Sequence, residues 1–356
     1  MKTSFQEILS GLDAQTEKKM RAKLPSWARE GCRVSVSLAL EQCSSEAAAE
    51  HKASLVSGSL CDLTGGLGAD SLAFSRRCSK VRYFERNPEL VAAARENFAR
   101  MGAPDIECTC AEISAESDIP ECDWIYLDPA RRSASGRKVF RLADCSPDVT
   151  LLLPLLRSKA PNIMIKLSPM ADLSLIAQEL GEGLKEIQVV GLGGEVKELL
   201  CILQRGFSGE YCIRALELGA PGEQLVFTPS QEAAAPSKTA EDVRSGDILF
   251  EPSPVLLKAG AFRSVGLPKL APSTHLYIGG SALPGKSFRI LECLPFGREA
   301  FRAVSLRYPR ADVSAHNIPM KSEELRERLK VKSGGDLHVF GAGTPSGKIL
   351  IVAQRL

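Results

Sequence analysis

No two cysteines of this chain stand at C-x-x-C spacing, although it contains 11 of them. The nearest pair, Cys108-Thr-Cys110, falls inside an apparent strand, where alternate side chains share one face. Histidine is scarce: His51, His275, His316 and His338 are the whole set, and none lies at metal-ligand spacing to a cysteine. These absences argue against a structural zinc site and against a disulfide framework, so no metal and a set of free or buried thiols are expected, as in a reducing cytosol. No apolar run reaches membrane-spanning length, and Met1-Lys-Thr-Ser-Phe-Gln-Glu-Ile-Leu-Ser10 carries no long apolar core of a leader. The expectation is a cytoplasmic protein without a membrane partner. No internal repeat is visible.

What is present is ordinary in amount and uneven in placement. The chain has 356 residues, enough for two or three domains, with 44% hydrophobic and 25% charged residues. Its net charge of +2 hides an asymmetry, because residues 285–356 hold 13 Lys or Arg against 7 Asp or Glu, a net of +6. The body before them is therefore mildly acidic. A basic end on an acidic body suits a polyanionic partner, although such a charge also occurs in domains that have none.

Residues 1–52 read as helical, with Phe5, Ile8, Leu9 and Leu12 at i, i+3, i+4, i+7 spacing. A further helix over Ala47–Leu55 leads into alternating elements. Strands are expected at Leu60–Leu63, Val81–Phe84, Ile106–Ala111, Trp124–Leu127 and Asn162–Leu167. Helices are expected at Ala69–Arg77, Pro88–Met101, Val149–Arg157 and Leu173–Leu180. Such alternation implies a mostly parallel sheet covered on both faces. The runs Ile187–Leu192 and Glu198–Leu203, joined by Gly193-Gly194, lie too close for a crossover and should form an antiparallel terminal hairpin. The composition of 218–245 is that of a linker. Beyond it a smaller α+β pattern contains Phe288–Leu294, Ala303–Tyr308, a helix Ser322–Leu329 capped by Ser322, and a hairpin of Leu337–Phe340 with Lys348–Ala353. The expected divisions are 1–52 helical, 53–217 doubly wound α/β, 218–270 connecting, and 271–356 small α+β.

The stretch Asp62-Leu-Thr-Gly-Gly-Leu-Gly-Ala-Asp70 carries the strongest chemical signal. A strand ends in an acid, a glycine-rich turn follows, and a helix opens. The next strand ends in Glu85, 17 residues after Gly68. Glycines let a backbone approach a ligand, a helix N-terminus offers free N–H groups, and a second-strand carboxylate suits a ribose diol. Ser71 stands where a dinucleotide fingerprint wants its third glycine, and Asp62 would repel a phosphate. Asp62 would instead pair with a cationic amino group, which favours a ligand that is an amino acid at one end and a nucleoside at the other.

These residues resemble motif I of the class I S-adenosylmethionine-dependent methyltransferases, with Thr64 in place of the first glycine. The resemblance implies a Rossmann-like seven-stranded sheet and S-adenosylmethionine as cofactor. It places Asp62, Thr64, Gly65, Gly66, Gly68, Asp70, Glu85, Arg86 and Glu112 at the cofactor, Glu85 on the ribose hydroxyls and Glu112 at the adenine edge. Asp128-Pro129-Ala130-Arg131 closes the fourth strand, where methyltransferases acting on exocyclic amines carry Asp/Asn-Pro-Pro-aromatic. Asp128, Pro129 and Arg131 are the catalytic candidates: the carboxylate and a proline-linked carbonyl accept N–H bonds, and an arginine plane can stack on a base. The fifth strand ends Lys166-Leu-Ser-Pro169 without a thiol, which disfavours carbon methylation through a cysteine adduct. Arg132, Arg137, Lys138, Phe140 and Arg141 follow as a basic loop that either contacts substrate phosphates and a base or is simply solvated.

The whole chain is similar to methyltransferases with a THUMP-like C-terminal domain. The likeness rests on Leu40-Glu-Gln-Cys-Ser-Ser-Glu46, the two motifs above, Gly194-Glu-Val-Lys-Glu-Leu199 and Glu323-Glu-Leu-Arg326 with Gly334-Gly-Asp336. It implies an RNA partner, rRNA and tRNA not being distinguished, and does not settle what is methylated; a base nitrogen is the expectation from Asp128-Pro129-Ala130-Arg131. A protein or small-molecule substrate, and a cofactor-binding module without turnover, stay open at this point.

Overall fold

The computed structural model describes residues 14–34, 36–131, 141–219 and 222–356. The apolar positions Phe5, Ile8, Leu9 and Leu12 lie outside the described residues, as do Arg132, Arg137, Lys138, Phe140 and the side chain of Arg131. The chain divides into two compact units, Met1–Leu192 with Lys197–Cys212, and Gly193–Val196 with Ile213–Leu356.

Among the described residues the first unit opens with four helices, α1 (Ala14–Lys23), α2 (Pro25–Arg29), α3 (Ser37–Gln42) and α4 (Glu46–Ala53). Apart from a two-residue ladder and a short 3-10 turn, seven strands and four helices follow among the described residues: β1 (Gly58–Asp62), α5 (Ala69–Ser75), β2 (Cys78–Glu85), α6 (Pro88–Arg100), β3 (Glu107–Cys110), β4 (Trp124–Leu127), α7 (Val149–Lys159), β5 (Asn162–Leu167), α8 (Leu173–Leu180), β6 (Leu184–Leu192) and β7 (Glu195–Gln204). Their order across the sheet is β6-β7-β5-β4-β1-β2-β3. The pairs β1/β2, β1/β4, β2/β3 and β4/β5 are parallel, and β5/β7 is antiparallel. The α/β sheet with its antiparallel terminal hairpin is therefore as the alternating pattern predicts.

Local chemistry sets the helix starts. Asn87 accepts the Glu89 N–H and Pro88 fills the first position of α6. Asp148 and Asp172 cap α7 and α8 in the same way. The N-terminal helices are part of the core: Met20, Leu24, Trp27 and Leu40 join Leu60, Leu72, Phe74, Tyr83 and Phe98 in one buried cluster. They bring Ala39, Gln42, Cys43 and Ser44 to the wall of the cavity described below.

The second unit contains β8 (Cys212–Leu218) and β9 (Leu225–Phe227), which pair antiparallel, then α9 (Pro229–Ala234), β10 (Ile248–Pro252), α10 (Pro254–Ala259), β11 (Lys269–Ala271), β12 (Thr274–Ile278), β13 (Gly285–Pro295), α11 (Arg298–Arg307), β14 (Asp312–His316), α12 (Ser322–Leu329), β15 (Leu337–Thr344) and β16 (Gly347–Arg355). A seven-stranded sheet runs β11-β12-β10-β13-β16-β15-β14. Residues 218–270, expected to connect two domains, thus supply strands and helices of their own. The linker-like composition hides β10, a short apolar strand that aligns Phe250 with Ser287. A second difference concerns α12. Lys321 is its N-cap and no side chain caps it, because the Ser322 hydroxyl accepts the Ala315 N–H at 3.0 Å instead.

Candidate active site

A cavity opens at the carboxyl ends of β1, β2 and β4, where doubly wound sheets bind their ligands. Its wall includes Thr64, Gly65, Gly66, Gly68, Asp70, Glu85, Arg86, Glu112 and Asp128, so nine of the sequence candidates meet in one place. Leu67, Leu90, Ala111 and Ile113 form its apolar side.

The turn between β1 and α5 is built for close approach. Gly66 and Gly68 have φ of +54° and +92°, in the left-handed region that glycine enters without steric cost. A Cβ on Gly65 would collide with the Tyr83 ring, and one on Gly68 would sit 2.7 Å from Phe98. The Tyr83 hydroxyl donates to the Gly66 carbonyl at 2.6 Å, which locks the turn over β2. Thr64, in the place of the first glycine, accepts the Asp128 backbone N–H through Oγ1 at 2.6 Å.

Glu85 is half-buried at the end of β2 and accepts the N–H groups of Gly66 at 3.0 Å and Asn87 at 2.8 Å. Glu112 is exposed and pairs with Arg86 at 3.3 Å, so this carboxylate meets a guanidinium at the cavity wall. Asp62 is not part of the wall. It lies beneath the turn, where Oδ1 accepts the Thr64 N–H at 3.1 Å and Oδ2 the Ser71 hydroxyl at 2.5 Å. Burial pushes its carboxyl up to about 8, with Asp70 adding to the rise. Asp62, expected to pair with a cationic ligand group, thus spends both oxygens on the turn itself.

Asp128 is bonded through Oδ2 to the Lys166 ammonium, which comes from β5. Burial disfavours charge on Lys166, but Asp128, Asp70 and Glu198 outweigh it and hold the ammonium above the ordinary lysine range. Pro129 is buried and not part of the cavity wall. Ala130 and Arg131 pair with Ser146 and Cys145 in a two-residue ladder. Arg141 is exposed, 3.8 Å from Glu179, and away from the wall.

Residues not named as site candidates complete the site, although Ser44 and Glu198 lie within the Leu40–Glu46 and Gly194–Leu199 motifs. Lys52 of α4 is fully buried and donates to Glu198 of β7 at 2.8 and 3.0 Å and to Ser44 at 3.0 Å. Ser44 and the Tyr126 hydroxyl both donate to Asp70 Oδ2 at 2.8 Å. Burial would raise the Asp70 carboxyl, yet Lys52 and Lys166 hold it below the usual range. The sequence signals for Lys52 and Glu198 are charges beside apolar runs, Glu198 leading directly into Leu-Leu-Cys-Ile-Leu203. Glu195, considered as a pocket residue, is exposed. Among the described residues no group of three or more His, Cys, Asp or Glu is placed to hold a metal, and no helix is long and apolar enough to cross a membrane.

Known proteins share this architecture. The family described as THUMP domain-like matches residues 285–355, and one described as a ferredoxin-like domain matches residues 249–284. A crystal structure assigned as a methyltransferase of Porphyromonas gingivalis is 30% identical and superposes with a TM-score of 0.86, covering 99% of this chain and 95% of that one. The chain belongs to the methyltransferases with a THUMP-like C-terminal domain. Two curated relatives match this methyltransferase over shorter stretches. The ribosomal RNA small subunit methyltransferase J of Erwinia tasmaniensis is 34% identical over 97 residues, 23% of this chain and 38% of that protein. The 23S rRNA (uracil-1939 C5) methyltransferase of Shewanella amazonensis is 36% identical over 77 residues, 20% of this chain and 17% of that one. The methyltransferase thus spans less than two fifths of the length of either curated relative.

Proposed function

We propose that the protein transfers a methyl group from S-adenosylmethionine to a base nitrogen of RNA. The observation that carries this reading is the single cavity that unites the glycine turn, Glu85 and Asp128 at one sheet edge. The donor set fits an adenosyl amino acid. A carboxylate has about four acceptor positions, and Glu85 uses only two of them on Gly66 and Asn87, which leaves room for a ribose diol. Leu90, Ala111 and Ile113 offer an apolar face of the kind an adenine ring requires. Asp70 and Ser44 add polar groups to the lining.

S-adenosylmethionine supplies an electrophilic methyl group on a sulfonium, so the protein's part is positioning and exclusion of water. Asp128 accepts an N–H of the target with the oxygen that Lys166 leaves free, and the Pro129 linkage sets the backbone carbonyl beside it. The Thr64 hydroxyl fixes this strand end relative to the glycine turn. Cys43, a thiol of the cavity wall, is pushed up to about 11 by burial. A thiol so reluctant to ionise is a poor nucleophile, which favours nitrogen over a carbon methylated through a cysteine adduct.

RNA as substrate draws support from the THUMP-like segment with its net charge of +6, and from the two rRNA methyltransferases named above. We assign residues 271–356 to holding the RNA and 53–217 to the chemistry, in the cytoplasm. Each phosphate contacted should add to the salt dependence of binding. Calorimetry with S-adenosylmethionine and then S-adenosylhomocysteine tests the cofactor. Both should bind the unmodified protein, and Glu85→Ala should weaken both; absence of binding to the unmodified protein sinks the reading.

A further inference from the structure

Two buried lysines stand near the cavity, and they are bonded differently. Lys52 places the three N–H bonds of its ammonium on Glu198 Oε1 at 2.8 Å, Glu198 Oε2 at 3.0 Å and Ser44 Oγ at 3.0 Å. Lys166 donates, among the described residues, to Oδ2 of Asp128.

The register of the sheet sets this contact. Strands β4 and β5 are parallel with Leu127 opposite Ile165, so Asp128 and Lys166 follow side by side at the carboxyl end. Ile165 and Leu167, on either side of the lysine, are buried. The Lys166 side chain is 12% exposed, against 32% for that of Asp128. Asp128 is part of the cavity wall and Lys166 is not, so the ammonium backs the carboxylate rather than lining the cavity.

An ammonium so enclosed is costly, and apolar groups of similar volume often match or exceed such a pair in stability. Stability therefore does not account for a lysine at the end of this apolar strand. Its hold on Asp128 does. The Thr64 hydroxyl fixes the Asp128 backbone and leaves the side-chain torsions free. The Lys166 ammonium ties down the carboxylate itself. A nitrogen presents its lone pair to a methyl group only when its N–H bonds are held in one direction, which demands an acceptor of fixed orientation.

We propose that Lys166 is a positioning residue for methyl transfer: it clamps Oδ2 of Asp128 so that Oδ1 meets the N–H of the target in one direction. This rests on reading Asp128 as the group that orients a target nitrogen. It gives β5 a part in the reaction alongside β1, β2 and β4.

The test is the initial rate of label transfer from methyl-tritiated S-adenosylmethionine to total RNA at varied RNA concentration, with calorimetry of S-adenosylhomocysteine alongside. Lys166→Met should lower the rate at saturating RNA about ten- to a hundredfold, the scale of one hydrogen bond to a charged group. The RNA concentration for half that rate and the affinity for S-adenosylhomocysteine should both stay within about twofold, as for a group that acts in the transition state alone. Lys166→Arg keeps a charged donor and should recover part of the rate. If Lys166→Met does not fold, Lys166→Gln takes its place, with a loss of at least about tenfold in rate. An unchanged rate overturns the proposal. So does a loss of S-adenosylhomocysteine affinity as large as the loss of rate, or a Lys166→Arg no faster than Lys166→Met, because either marks a purely structural lysine. An unmodified protein that binds S-adenosylhomocysteine and labels no RNA overturns the reading of Asp128 and this proposal with it. Labelling by the unmodified protein and by Lys166→Met at equal rates overturns only the assignment of Lys166.

Discussion

Thr64 Oγ1 accepts the backbone N–H of Asp128 at 2.6 Å, so the residue that replaces a glycine in the first motif holds the second motif in place. The contact joins the ends of β1 and β4, which lie side by side in the sheet with Asp62 opposite Tyr126. Thr64→Val keeps the shape and removes the acceptor. It should cost about 1–3 kcal/mol of stability, the penalty for an unpaired buried N–H. The rate of methyl transfer should fall further than the affinity for S-adenosylhomocysteine. Urea unfolding and single-turnover kinetics measure the two, and a variant with unchanged rate would show that the contact does not position Asp128.

Gly65→Ala places a methyl group in the Tyr83 ring. Tyr83 is fully buried and packs edge-on against Phe98 at 5.6 Å, so it has no space to yield. Overpacking of this kind costs about 1–3 kcal/mol, and more where backbone must shift. A Gly65→Ala/Tyr83→Leu pair should recover part of the loss in thermal unfolding. Gly65→Ala alone with unchanged stability would mean that the turn is looser than described.

Lys52→Met leaves Glu198 and Asp70 buried without their nearest counter-charge. Breaking a buried pair in this way costs about 3–5 kcal/mol, whereas replacing both partners by apolar groups is often close to neutral. The Lys52→Met/Glu198→Leu variant should therefore be more stable than Lys52→Met in denaturant titrations. A double variant no better than the single one would contradict the network.

The fold and half of the site were legible for different physical reasons. Strand and helix periodicity is a local signal, and Trp124–Leu127, Asn162–Leu167, Leu173–Leu180 and Ser322–Leu329 stand where the pattern predicts. The glycine turn was readable because its geometry demands specific residues. The Lys52–Glu198 pair spans 146 positions and Lys166–Asp128 spans 38, and no local rule links residues so far apart. The enclosure of Asp62 was not legible for the same reason: its neighbours in sequence identify the turn, while its burial depends on Ser71 and on strands arriving from elsewhere. Strand β10 was missed because the linker-like composition of the residues before it masks a short apolar run.

Asp62 also makes a pH signature. Its folded pKa is raised to about 8, against roughly 3.9 when unfolded. The group's contribution is complete below the unfolded value and is lost as pH rises from about 4 to about 8, because the unfolded carboxyl ionises first. Asp62→Asn removes that loss. The stability of Asp62→Asn relative to the unmodified protein should therefore climb between pH 5 and pH 8, read from urea midpoints at each pH. A difference that stays flat would mean that Asp62 is charged in the folded protein.

The most direct test of the central claim is transfer of label from methyl-tritiated S-adenosylmethionine to total RNA, followed by nucleoside analysis of the product. Label is expected in RNA on a base nitrogen, with loss of nearly all of it in Asp128→Ala despite intact S-adenosylhomocysteine binding. Label that stays at background in RNA while the cofactor binds, or that appears in protein instead, would contradict it.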